Sequence, residues 1–138
     1  MKFTSTFFKP WELVPKSVYD VLGVNSLIVM DERILISIEN IRRMLNRSIV
    51  VNNWHEGGAF EQRGFRDSYD VGAQFSSHRF GRAIDFDVQG MSANDVRAWI
   101  INHQKDLPYI TRMERDVNWV HIDCAAVDNK NGILLFKG

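Results

Sequence analysis

Two short segments of this chain alternate between apolar and ionisable side chains, and they constrain its fold more than any other feature. In Arg82 to Val88, the residues Ile84, Phe86 and Val88 share one parity, while Asp85 and Asp87 share the other. In Trp119 to Ala125, Val120, Ile122 and Cys124 fall on one parity, and Trp119, His121 and Asp123 on the other. Successive side chains of a strand point to opposite faces. Each segment is therefore predicted to be a strand with its apolar face on a core and its ionisable face turned away. If the two strands are neighbours, Asp85 and His121 converge.

The remaining elements read around these strands. Asp31 is a candidate N-cap, and Ile34, Ile38, Ile41 and Leu45 follow at helical spacing, with Glu39, Arg42 and Arg43 between them. Ser92 opens a second helix with Asp95 as its capping box. Val96, Trp99, Ile100 and His103 form its predicted inner stripe, and Pro108 blocks continuation. Pro10 and Pro15 frame a short helical turn, Trp11 to Val14, packed by Trp11. Ser48 to Asn53, Tyr109 to Arg115 and Gly132 to Lys137 read as further strands. A tight turn at Asp116-Val117-Asn118 joins Tyr109–Arg115 to the strand that follows. Trp54 to Ser77 is a long glycine-bearing loop whose aromatics, Trp54, Phe60, Phe65, Tyr69 and Phe75, imply order and packing. Loops of that length in a small domain are commonly functional. The inventory predicts an α+β fold, a small antiparallel sheet flanked by helices, in a single domain over residues 1–138.

Composition removes several function classes. Seventeen basic and 17 acidic residues give a formal net charge of zero, which argues against nucleic-acid binding by bulk charge and against a polybasic membrane anchor. Cys124 is the single cysteine, so a disulfide within one chain and a cysteine-based zinc finger are both excluded. Its place on the apolar parity makes it a buried, inert thiol. Met1 to Pro10 carries no secretory signal pattern, and apolar runs such as Leu27 to Met30 are far too short to span a bilayer. The expectation is a soluble monomer made in the cytoplasm, without a nucleic-acid or membrane partner.

The ionisable faces carry the chemistry. His78 stands seven residues before Asp85, an offset that would put the two on opposite faces of one continuous strand. Gly81 offers a turn that folds His78 back beside Asp85. Two imidazoles and a carboxylate form a three-ligand set suited to zinc, with a fourth position for water. A lone His–Asp pair beside a strand is more often a plain hydrogen bond, and Asp87 and Asp123 can be ordinary solvated residues. His103 reads as core packing, and His55 as a cleft residue or a loop hydrogen bond. Arg63 and Arg66 lie in the long loop upstream of His78.

Ser76 to Asp85 matches the pattern S-x-H-x-x-G-x-A-x-D at Ser76, His78, Gly81, Ala83 and Asp85, and Trp119-Val120-His121-Ile122-Asp123 follows after a helix and a strand. From Ile49 to Ala125 the chain resembles the zinc D-Ala-D-Ala carboxypeptidases and phage endolysin peptidases, which share a fold with the Hedgehog signalling domain. The resemblance implies a zinc ion held by His78, Asp85 and His121. It implies hydrolysis of peptide bonds in bacterial peptidoglycan stem peptides, outside the cytoplasm, by an enzyme that reaches the wall by a separate route. It implies an upstream arginine that holds substrate, for which Arg66 is the first candidate and Arg63 the second, and a supporting or substrate-touching role for Ser76.

In one respect the chain departs from the family. Many members carry a catalytic carboxylate three residues before the last histidine, where this chain has Asn118. Glu114, Asp116 and Asp123 are the remaining acids that can serve as general base and acid. Placing Tyr109, Thr111 and Met113 on the core leaves Ile110, Arg112 and Glu114 on the site face, which favours Glu114. The Hedgehog-like branch also carries its acid further upstream. The alternative reading is a non-catalytic zinc-binding wall or structural module on the same fold.

Overall fold

The computed structural model describes residues 3–68 and 72–138; Tyr69 lies outside the described residues. Asp31 caps the helix α2, Glu32–Leu45, by accepting the Arg33 N–H at 2.9 Å. Ile34, Ile38 and Ile41 are fully buried along one stripe of it, as the spacing requires. Ser92 caps α3, Ala93–Asn102, by accepting from the Asp95 N–H. Val96 and Ile100 are its buried face, whereas Trp99 and His103 stack on each other at 4.3 Å and stay half-buried. The predicted inner stripe therefore narrows to two residues.

Between Pro15 and Asp31 the chain forms a helix that periodicity does not reveal, α1, Lys16–Leu22, continued by a 3₁₀ turn, Gly23–Val29. α1 buries none of its residues, so no apolar stripe betrays it. The turn between the prolines is a 3₁₀ turn at Pro10–Glu12, with Trp11 stacked on His55 at 4.3 Å.

Among the described residues, five strands form one sheet: β1, Ile49–Val50; β2, Ala83–Val88; β3, Arg112–Arg115; β4, Val120–Asp123; and β5, Leu134–Lys137. Their order is β1-β2-β4-β3-β5. The first three pairings are antiparallel, but β5 runs parallel to β3, so the sheet is mixed rather than antiparallel throughout. The cause is topological. The chain leaves β4, skips over β3 and returns on its far side, which makes it parallel to β3. The fold is α+β, with the core faces of β2 and β4 (Ile84, Phe86, Val120 and Ile122) buried against α2 and α3. Among the described residues, no helix is long and apolar enough to cross a membrane.

All five predicted strands are shorter than the pattern suggests, β2 by one residue and β5 by two. Ser48–Asn53 pairs only at Ile49 and Val50, because the next amides turn elsewhere: Asn52 N–H donates to the Glu12 carbonyl and Asn53 N–H to the Phe60 carbonyl. The Trp119–Ala125 segment is strand only at Val120–Asp123. The Tyr109–Arg115 strand begins only at Arg112. Before it the alternation fails: Ile110 is buried and Tyr109 is exposed, the reverse of the predicted faces. Within the strand the faces are as expected, with Met113 on the core. The long loop is packed in part. Trp54 anchors it by donating Nε1–H to the Val14 carbonyl at 2.9 Å, while Phe60 and Phe75 are exposed.

Candidate metal centre

The register of β2 and β4 places Asp85 directly opposite His121. Directly opposed residues of an antiparallel pair project from the same face, here the face away from the Ile84–Phe86 core. His78 arrives from a 3₁₀ turn, Ser77–Phe80, capped by Ser76, whose Oγ accepts the His78 N–H. Gly81 ends that turn at φ 68°, and a Cβ there would collide with the Val29 carbonyl. Glycine satisfies both demands at once. This turn resolves the odd offset, since His78 and Asp85 do not share one strand.

His78, Asp85 and His121 each present a ligand atom, and these atoms lie within 4.8 Å of one another. Asp85 Oδ1 is 3.2 Å from His78 Nε2 and 2.7 Å from His121 Nδ1. The outer nitrogen of each imidazole is already engaged. His78 Nδ1–H donates to the Gly64 carbonyl at 2.9 Å, and His121 Nε2–H donates to Asp123 Oδ2 at 2.8 Å. Histidines that bind metal characteristically donate their second N–H to a carbonyl or carboxylate, which fixes the tautomer. The donor set thus fits a metal ion: the inner nitrogens and one carboxylate converge, and the outer nitrogens are occupied. Gly64 can bring its carbonyl here because its backbone runs against Leu13, where a Cβ would strike the Leu13 carbonyl.

Charge couples these groups. Burial pushes the Asp85 carboxyl up, but hydrogen bonds from His121 and His78 outweigh it and hold the group well below the usual carboxylate range. Burial lowers the His121 imidazolium, but its hydrogen bonds to Asp123 and Asp85 raise it to about 9. Asp123, also opposed by burial, is held low by hydrogen bonds from His121 and Arg112. Burial lifts the Cys124 thiol to about 11, in keeping with an inert core cysteine.

Arg66 borders the trio. Its Nη2 lies 3.9 Å from Asp85 Oδ2, its Nη1 donates to Ser76 Oγ at 3.5 Å and its Nε donates to the Gln62 carbonyl at 3.3 Å. These contacts are all longer than close charge-assisted bonds. Burial lowers the guanidinium below its ordinary value, with the charge on Asp85 opposing that shift. Arg66 and Ser76 are thus brought together beside Asp85. The Arg63 side chain is committed elsewhere, paired with Asp87 at 3.0 Å and lying 4.3 Å over the Phe60 ring. Only its backbone joins the site, where its carbonyl accepts the Asp85 N–H at 2.7 Å.

The acids divide clearly. Continuing the β3–β4 register from Arg112↔Asp123 and Met113↔Ile122 sets Glu114 opposite His121, on the ligand face. Its charge is felt at Arg66, and its carboxylate borders Gly138. Asp116 sits in the turn at φ 64°, exposed and paired with Arg115. Asn118 is exposed as well, and both line a separate cleft of about 530 Å³ beside the start of α3. Asp123 is engaged by Arg112, His121 and the Ala125 N–H. His55 stacks on Trp11, in a small cavity with Glu12 and Asn53.

The sequence gives little sign of two neighbours of the trio. Phe136 of β5 stands edge-on to His121, with ring centroids 5.5 Å apart, and Arg112 grips Asp123. Arg112 shares parity with Glu114, which is the one available signal. Phe136 lies in an apolar run with no periodicity that marks it. No protein-family model matches this chain, and comparison with curated proteins and with solved structures finds no match.

Proposed function

We propose that this chain is a zinc-dependent peptidase that hydrolyses peptide bonds in the stem peptides of bacterial peptidoglycan, in the manner of an endolysin. The observation that carries the reading is the buried convergence of His78, Asp85 and His121, with the outer nitrogen of each histidine already bonded. The resemblance of Ser76 to Asp85 to the zinc D-Ala-D-Ala carboxypeptidase and endolysin pattern supports the choice of reaction. Zinc held by these residues would lower the pKa of a bound water and polarise the scissile carbonyl. Arg66 would grip a carboxylate or carbonyl of the stem peptide, for which its loosely engaged guanidinium is suited. Glu114 would take a proton from the attacking water and return it to the leaving amine as the C–N bond breaks. The protein is proposed to act as a monomer at the cell wall, without a nucleic-acid or membrane partner.

A second reading, a zinc-binding wall module without hydrolysis, is favoured by one observation: Asn118 occupies the position where many of the enzymes the chain resembles carry their acid. One experiment separates the two. Purified peptidoglycan fragments are incubated with zinc-loaded protein, with and without chelator, and analysed by mass spectrometry. New termini that disappear with chelator support the peptidase. Zinc-loaded protein that binds the wall and leaves every peptide intact supports the module.

A further inference from the structure

Arg112 supplies none of the ligand atoms, yet it reaches both sides of the trio. It stands opposite Asp123 in the β3–β4 register and holds that carboxylate with a fork. Nε donates to Oδ1 at 3.0 Å and Nη2 donates to Oδ2 at 2.8 Å. Asp123 is fully buried, and a buried carboxylate is tolerated only when its charge is met and its lone pairs are filled. Arg112 meets the charge, and His121 Nε2–H and the Ala125 N–H fill the remaining lone pairs. The same Nη2 lies 3.5 Å from Ser77 Oγ, next to His78 in the chain. Phe136 completes the arrangement from β5. Its ring lies 4.2 Å from the Arg112 guanidinium and meets the His121 ring edge-on at 85°.

Resting on the metal reading above, we propose that Arg112 and Phe136 are positioning residues of the metal centre. Arg112 fixes His121 through Asp123, and Phe136 holds the guanidinium and one side of the imidazole together. Lysine would not replace Arg112, because an ammonium is a point charge and cannot span both carboxylate oxygens.

The test is zinc affinity, measured by competition with a chromophoric chelator, and the visible spectrum of the cobalt-substituted protein. Wild type, Arg112→Gln, Arg112→Lys and Phe136→Leu are compared, with melting of the metal-free proteins as the check on folding. Both Arg112 variants are expected to bind zinc about 10- to 100-fold more weakly, the range for loss of a group that orients a metal ligand. Their cobalt bands should shift, and Phe136→Leu should move both readouts less, in the same direction. A folded Arg112 variant with wild-type affinity and an unchanged cobalt spectrum overturns the positioning role alone. Wild type that takes up neither metal overturns the metal reading and the positioning role together. If Arg112→Gln does not fold, Arg112→Lys, which keeps the charge, decides the question.

Discussion

A single oxygen of Asp85, Oδ1, lies within 3.2 Å of the inner nitrogen of both imidazoles, while Oδ2 faces Arg66. Alanine at His78, Asp85 or His121 should therefore remove zinc, as read by metal analysis. The far-ultraviolet circular dichroism should be retained, because the core residues Ile84, Phe86 and Ile122 lie on the opposite face of the same strands. Arg66→Ala should leave zinc content unchanged and slow digestion of wall fragments by about 10- to 100-fold, the scale of losing a hydrogen bond to a charged group. Digestion at the wild-type rate would remove Arg66 from the substrate role. Glu114→Gln should lower turnover by about 10²- to 10⁴-fold with zinc retained, the usual contribution of a general acid–base. An active Glu114→Gln enzyme would exclude Glu114. At this scale the sequence was informative about ligands and poor about their support. His78, Asp85 and His121 are polar residues at marked positions. The Gly64 carbonyl belongs to the backbone and has no side-chain signature, and Phe136 resembles any core aromatic until its neighbours are known.

Among the elements, α2 shows how local chemistry reaches the site. Asp31 caps it, pairs with the Arg33 side chain and receives through its own backbone the tie to the site turn: Asp31 N–H donates to the Gly81 carbonyl at 2.8 Å. The hydrogen bond from Arg33 is the largest influence on the Asp31 carboxyl and holds it below its ordinary value, with burial opposing. A depressed carboxyl stabilises the fold at pH above its unfolded value and loses that contribution as the pH falls through its folded value. Asn caps as well as Asp but carries no charge. Asp31→Asn should therefore be less stable than wild type near neutral pH, and the gap should close in strong acid, as followed by urea denaturation across a pH series. A gap that is constant with pH would show that the ion pair contributes nothing. The helix was legible because its cap and its isoleucines are local in sequence. α1 was not, since a helix that buries nothing leaves no periodic trace. The reversed faces of Tyr109 and Ile110 have a related cause: alternation describes a strand, and this strand starts only at Arg112.

For the molecule as a whole, one sheet separates two jobs, with the core on one face of β2 and β4 and the ionisable groups on the other. The class of fold followed from that division, but the sheet's mixed character did not. Whether β5 pairs with β3 or β4 depends on the path of a connecting segment whose composition is silent on direction. Zinc at about 100 times its dissociation constant should add about 2.7 kcal/mol of stability and raise the melting temperature by about 10 °C, reversed by chelator. A calorimetric scan without that shift would count against a folded-state metal site. The outer nitrogens held by Gly64 and Asp123 have a further consequence. Neither imidazole can flip, so the entropy of arranging the ligands is spent during folding and not when the ion arrives. Metal capture should then be governed by diffusion, by stripping water from the ion and by loss of the proton on the inner nitrogen of His121, with no slow conformational phase in stopped flow. The amides of β2 and β4 should already be protected from deuterium exchange in the metal-free protein, with the ion slowing them only by the stability it adds. In that respect the centre would work as a rigid socket, unlike small domains that fold around their zinc.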